Sequence, residues 1–351
     1  VFDQDHTACS DCGSMDWDMG LDFKKVEHHM STGFFRSVNH RPSTCESRIG
    51  GPSRLILSSI VLLLITAAQL AAQTGKKPTI EERELITGDE LKIKITYYKA
   101  AGGADSPVVI LLHGKKGSRQ QWKNFASDLQ QKGDFAVVAV DLRGHGESLI
   151  GKKTELLKKA DYQAMVGFDM EAVKDFLLDE HTKKNLNVNK LGIVGCDFSG
   201  SVALLYAELD WEKIPYDDSP VFEDKTPRGQ DVQALVLVSP DPSTPGLVSH
   251  KAVMAARSRA RPIVIGVADK NSHDVGIANK MFEQLSPKKD KEKEKEKQEP
   301  PYLWKYPVNQ SGMDLVTHNS DFRSHIFEFL TKYVKEHPSE WRDRRSRLDR
   351  D

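Results

Sequence analysis

The sequence predicts an α/β architecture: one domain over 78–336, built on a mostly parallel eight-stranded sheet with helices on both faces. Three observations lead there. After Lys77, short apolar β-rich runs alternate with longer stretches of helical periodicity. Six of the short runs are apolar nearly throughout, as strands buried on both faces require. The chain of 351 residues, 38% hydrophobic with 50 Lys+Arg against 51 Asp+Glu, can bury a large core and carries no excess of either charge. That balance argues against a disordered chain and against a polybasic nucleic-acid binder.

In chain order the strand candidates are 82–87, 91–98, 108–112, 136–141, 191–195, 234–239, 263–267 and 302–306, the last six being the buried type. The clearest helix is 321–334, where Phe322, Ile326, Phe329, Leu330 and Tyr333 recur at helical spacing. The segment 169–178 carries a similar stripe in Ala172, Val173, Phe176 and Leu177. The segment 199–207 opens on small residues before Val202, Leu204 and Leu205. Both predict core helices. The run 287–301, PKKDKEKEKEKQEPP, has nothing apolar to bury and reads as a solvated loop or short frayed helix. The charged tail 337–351 is expected to be disordered from Trp341 onward.

Ahead of the domain, 55–74 is an uncharged run, LILSSIVLLLITAAQLAAQT, preceded by Arg48 and Arg54 and ending in small residues at Ala71 and Ala72. A basic region, an apolar stretch and a small-residue zone make 48–73 a signal peptide cleaved near Ala72 or Gln73, and the protein exported, periplasmic or extracellular. The alternative is an uncleaved anchor, because about 17 to 25 apolar residues span a bilayer. Any membrane contact is then through 55–72. Residues 1–47 are unassigned; they lack apolar periodicity, and translation starting near Met30 would explain them. Cys9 and Cys12 form a CxxC with no second pair, so no metal is expected there. With only Cys45 and Cys196 besides, a disulfide scaffold is excluded. No cofactor is expected.

Residues 108–148, VVILLHGKKGSRQQWKNFASDLQQKGDFAVVAVDLRGHGES, combine an apolar strand ending in His113-Gly114, Trp122 in the helix that follows, and DLRGHGES after the next strand. Together with IVGCDFSGSVALLYAE (193–208), ALVLVSPD (234–241) and RPIVIGVAD (261–269), this pattern resembles the α/β-hydrolase fold over about residues 80–336. It is most similar to capless dienelactone-hydrolase-like and esterase-like members, since only 240–261 separates the sixth and seventh strands. The resemblance implies a nucleophile at the centre of GxSxG on a strained strand-to-helix turn. Here that segment is Gly195-Cys196-Asp197-Phe198-Ser199, which puts Asp197 at the nucleophile position. Ser311 falls at the histidine position, and Asn271, or Asp269 with a shifted count, at the acid position. The oxyanion-hole amides would be those of Lys115 and Phe198.

Serine cannot replace an imidazole that titrates near neutrality. Expectation therefore favours a noncatalytic binding or structural module with a degenerate Ser-His-Asp triad, its partner an unidentified small molecule or protein. The alternative is a hydrolase of esters or related small substrates that uses Asp197 as nucleophile, as related dehalogenases and epoxide hydrolases do, with a displaced base. His318 and His273 are the candidates for that base. His113 and His145 read as structural, and Cys196 as inert packing. Lys115 or Lys116 could pair with Asp197 across the emptied site.

Overall fold

The computed structural model describes residues 79–149, 154–286 and 299–350, all within the unit 68–351. The CxxC, the apolar segment 55–74 and most of the charged run 287–301 lie outside them. A hairpin of β1 (Thr79–Ile86) and β2 (Lys92–Lys99) is followed by β3 (Val108–Leu112), β4 (Ala136–Asp141), β5 (Leu191–Cys196), β6 (Val232–Val238), β7 (Ile263–Ala268) and β8 (Tyr302–Tyr306). They form one sheet in the order β1-β2-β4-β3-β5-β6-β7-β8. Strand β2 is antiparallel to both β1 and β4, and the pairings from β4 across to β8 are parallel. The eight strands are the ones the apolar runs predict.

Side-chain alternation explains why both faces are covered. Ile110, Leu112, Val138, Ile193 and Leu237 share one cluster with Val173, Leu177, Val202 and Tyr206, which come from α3 (Met170–Thr182) and α4 (Phe198–Glu212). Val109, Leu111, Val137, Val194 and Val236 share the other with Phe125 of α1 (Lys123–Gly133) and Phe322, Ile326 and Phe329 of α8 (Ser320–Leu330). A short α2 (Lys159–Ala164) enters α3 through a π turn at Met165–Asp169. The remaining helices are α5 (His250–Ser258), α6 (Ser272–Leu285) and α7 (Met313–His318).

Two expectations are corrected. Strand β8 is not buried on both faces: it is the sheet edge, with Tyr302, Leu303 and Trp304 half-buried and Lys305 exposed. The lysine inside YLWKY is the mark of an edge strand. The C-terminal tail is packed rather than disordered. Trp341 stacks on His181, with ring centroids 5.0 Å apart, and its Nε1–H donates to the His181 carbonyl at 3.0 Å. The His181 ring accepts from the Val188 N–H at Nδ1 (3.2 Å), so Nε2–H donates to the Arg342 carbonyl (2.8 Å).

Arg344 is buried, bonded to Asn189 Oδ1 at 2.6 Å and paired with Asp231. Lys174, fully buried, bridges Asp231 (2.7 Å) and Asp210 (2.6 Å). Two cations and two carboxylates thus neutralise one another at the N-terminal end of β5 and β6. Charge-rich composition hid this, because paired charges can be buried and composition does not show pairing.

Candidate active site

Strand β5 leaves the sheet through Asp197, whose backbone lies at φ 51°, ψ −123°. That conformation is strained for a residue with a Cβ and is the geometry of a nucleophile turn. Its tightness depends on Gly195, where a Cβ would sit 2.5 Å from the Ser199 carbonyl oxygen. Ser199, standing where a second glycine is usual, is buried and used locally. Its hydroxyl accepts from the Cys196 N–H (2.9 Å) and donates to the Cys196 carbonyl (2.8 Å). Cys196 is fully buried and its thiol is pushed well above the ordinary range, by burial first and then by the Asp197 charge, so it is no nucleophile.

The half-buried Asp197 carboxylate is held on one side by the Lys115 N–H, which donates to Oδ2 at 3.0 Å. Gly114 and Gly312 press on it from either side; a methyl group on the first would overlap Oδ2 and on the second Oδ1. Lys115 therefore contacts Asp197 through its backbone amide, the position expected of an oxyanion donor, and not through an ion pair. Lys116 lies 3.9 Å from Glu155 instead. Burial pushes the Asp197 carboxyl up to about 6, with Asp274 and Asp241 adding to the rise and the Lys115 amide and charge opposing it.

Ser311 occupies the loop after β8, and its hydroxyl donates to Asp274 and lies 3.3 Å from the Ser239 hydroxyl. Ser239 in turn accepts from the Gly312 N–H at 3.1 Å, fixing the glycine that covers Asp197. Neither expected acid is at this point. Asn271 caps α6, accepting from the Asp274 N–H at 3.2 Å, and Asp269 is exposed, its N–H bonded to the Tyr306 carbonyl at 2.8 Å. The carboxylate beside the Ser311 position is Asp274, in the first turn of α6. The available signal was the N-cap spacing Asn271-x-x-Asp274, which turns the third residue back toward the loop.

The histidines are placed structurally or at the surface. His113 is fully buried, its Nδ1–H donating to the Gly114 carbonyl (2.9 Å) while Nε2 accepts from the Leu142 N–H (3.2 Å), and burial lowers it to about 3. His145 is also buried and lowered by burial; it lies 3.1 Å from the Arg143 carbonyl and stacks on Phe198 with centroids 5.2 Å apart. His318 is exposed and bonded to its own helix at Asp314 (3.1 Å), and His273 is exposed in the first turn of α6. In DLRGHGES the buried Asp141 is paired with Arg119 and accepts from the Glu147 N–H (2.9 Å), so that motif braces the loop. Among the described residues no group of three or more His, Cys, Asp or Glu is arranged to hold a metal ion.

Next to the turn lies a cavity of about 290 Å³ bounded by Lys115, Phe198, Tyr162 and Asp241. A larger groove of about 450 Å³ runs along β8, lined by Trp304, His325 and Phe329.

Residues 107–259 match the family model described as alpha/beta hydrolase fold. The chain has the α/β-hydrolase fold. A dienelactone hydrolase from Anabaena variabilis superposes with a TM-score of 0.50 at 19% identity, over 74% of this chain and all of that one, a likeness of fold alone. Only α5 separates β6 and β7, and no large cap is built there. An abhydrolase domain-containing protein of Schizosaccharomyces pombe is 29% identical over 138 residues, 38% of this chain and 45% of that protein. A soluble epoxide hydrolase of a Corynebacterium strain is 32% identical over 105 residues, 30% of each chain. A mouse protein phosphatase methylesterase 1 is 35% identical over 80 residues, 23% of this chain and 20% of that one. The chain thus matches less than half the length of these curated relatives.

Proposed function

We propose that this chain is an exported α/β-hydrolase-like protein whose substituted triad leaves a noncatalytic binding or structural module. The observation that carries the reading is the occupancy around Asp197. Its Oδ2 sits on the Lys115 amide, where a reacting oxyanion would be stabilised, and Gly312 closes over Oδ1. Position 311, which the resemblance assigns to the family's base, holds a serine hydrogen-bonded to Asp274 and near the Ser239 hydroxyl. An ester formed at Asp197 would find no imidazole beside it, among the described residues, to activate water. Export rests on Arg48, Arg54 and the apolar run 55–74, with a membrane-anchored protein as the alternative.

A second reading is a hydrolase with Asp197 as nucleophile. One observation favours it: the Lys115 N–H holds the carboxylate on the nucleophile turn through Oδ2, and the similarity to a soluble epoxide hydrolase is consistent with that chemistry. Incubation of the purified protein with a fluorophosphonate, an aryl ester and an epoxide separates the two. The module labels no serine and turns over none of these above buffer. Hydrolysis that Asp197→Ala abolishes overturns it in favour of the Asp nucleophile. Mass spectrometry of the mature N-terminus tests export, since an intact 55–74 segment would replace secretion by anchoring.

A further inference from the structure

The cavity beside Asp197 is floored by the Phe198 ring, with His145 stacked on it and the Tyr162 ring at its edge, centroids 5.9 Å apart. Lys115, Lys116, Glu155 and Asp241 supply its charge. Lys115 and Lys116 come from the loop after β3, and Asp241 from the loop after β6. Lys116 is already opposite Glu155. Lys115 makes no ion pair among the described residues. Asp241 accepts from the Ser243 N–H (2.8 Å) and hydroxyl and meets no cation among them. Lys115, which is exposed, and Asp241, which is half-buried, thus border an aromatic floor with no ion-pair partner among the described residues.

A ligand with a single charge would satisfy one of these groups and leave the other desolvated against it, at a cost. A zwitterion satisfies both. The volume of about 290 Å³ is that of roughly ten waters at ~30 Å³ each, room for about a dozen heavy atoms. We propose that this cavity binds a small zwitterion with an apolar side chain, a free amino acid or a dipeptide, its ammonium on Asp241, its carboxylate on Lys115 and its side chain on Phe198. The assignment rests on reading the chain as a binding module and gives that module its ligand class.

Calorimetric titration of the full chain tests it with phenylalanine, alanyl-alanine, phenethylamine and 3-phenylpropionate. At least one of the two zwitterions should bind about tenfold tighter than either single-charge analogue, about 1.4 kcal/mol, and the tighter of the two tells amino acid from dipeptide. Lys115→Met should erase the preference over phenethylamine, and Asp241→Asn the preference over 3-phenylpropionate, with near-UV circular dichroism unchanged. Equal binding of all four probes, or no binding of either zwitterion at millimolar concentration, overturns the proposal on the unmodified protein even if a variant misfolds. Preferences that survive both substitutions overturn it as well. Ester or epoxide turnover in a parallel assay would instead remove the noncatalytic reading and leave the ligand class standing.

Discussion

Replacing Asp197 by asparagine should stabilise the protein, and the gain should depend on pH in one direction only. The carboxyl titrates near 6 in the folded chain against an ordinary value of 3.8, because burial and the neighbouring Asp274 and Asp241 disfavour its charge. A folded value raised above the unfolded one means that between these two pH values the native state keeps a proton the unfolded state has released. Stability therefore falls as pH rises through that window and is flat above it. At 1.36 kcal/mol per tenfold change the ionised carboxylate costs at most about 3 kcal/mol at pH 7. Solvent reaches the half-buried group, so about 1–3 kcal/mol is expected. Asparagine has the same shape, cannot ionise, and still offers an oxygen to the Lys115 N–H.

Urea unfolding of both proteins at several pH values from 3.5 to 8 gives the difference curve. Asp89, Asp218 and Asp343, each held near 2, lose stability in the opposite sense as pH falls. The difference between the two proteins removes their effect. A gain above pH 6 that vanishes below pH 4 is the expected curve. A gain independent of pH, or an asparagine variant less stable at pH 7, would refute the argument that burial of charge at Asp197 is the cost.

Other outcomes follow from the same contacts. Lys174→Met strands Asp210 and Asp231 without their shared cation and should cost about 3–5 kcal/mol in chemical denaturation. Arg344→Ala should cost about 1–3 kcal/mol and expose Trp341, read as a shift in tryptophan fluorescence, whereas a disordered tail would show neither effect. Gly312→Ala places a methyl group on Oδ1 of Asp197 at a residue with φ 56°, and should lower stability by about 1–3 kcal/mol. Asp197→Ser should be tolerated within about 1 kcal/mol and hydrolyse no aryl ester; adding Ser311→His beside Asp274 supplies a base, and only that double variant should show turnover above buffer.

The sheet was legible because buried parallel strands are written as uninterrupted apolar runs: Val108–Leu112 and Ala136–Asp141 lie where the sequence places them. The turn at Asp197 was legible because its sterics demand a glycine at 195. Asp274 was missed because a position counted from the end of β7 assumes a fixed loop, whereas Asn271 caps a helix whose first turn presents the carboxylate three residues later. The tail was missed because a string of arginines and aspartates looks the same whether it is solvated or paired. Lys174, Asp210, Asp231 and Arg344 are spread over 170 residues of sequence, and only the fold brings them together.

The two ends of β5 and β6 carry opposite electrostatic solutions, and the contrast bears on what the site is for. At the N-terminal end every buried charge has a partner: Lys174 has two carboxylates and Arg344 closes the set. At the C-terminal end Asp197 is strained in its backbone, raised toward neutral pH by burial and by nearby Asp241 and Asp274, and only partly offset by the Lys115 amide and charge. Strain of this kind costs on the order of 1–3 kcal/mol and persists only where the surroundings hold it in place. The surroundings here do so through Gly195, Gly114 and Gly312, which leave no slack for the carboxylate to relax. Fixed geometry with uncompensated charge is what a binding site needs before its ligand arrives, because a relaxed, self-paired arrangement would have to be broken on binding. It is also what an acyl-transfer site needs, but that site requires in addition a group to carry a proton, and position 311 holds a serine hydroxyl hydrogen-bonded to Asp274. On the proposed reading, the part of the hydrolase machinery that positions is kept around Asp197 and the part that moves protons is replaced; a site with that division of labour would hold a molecule without transforming it.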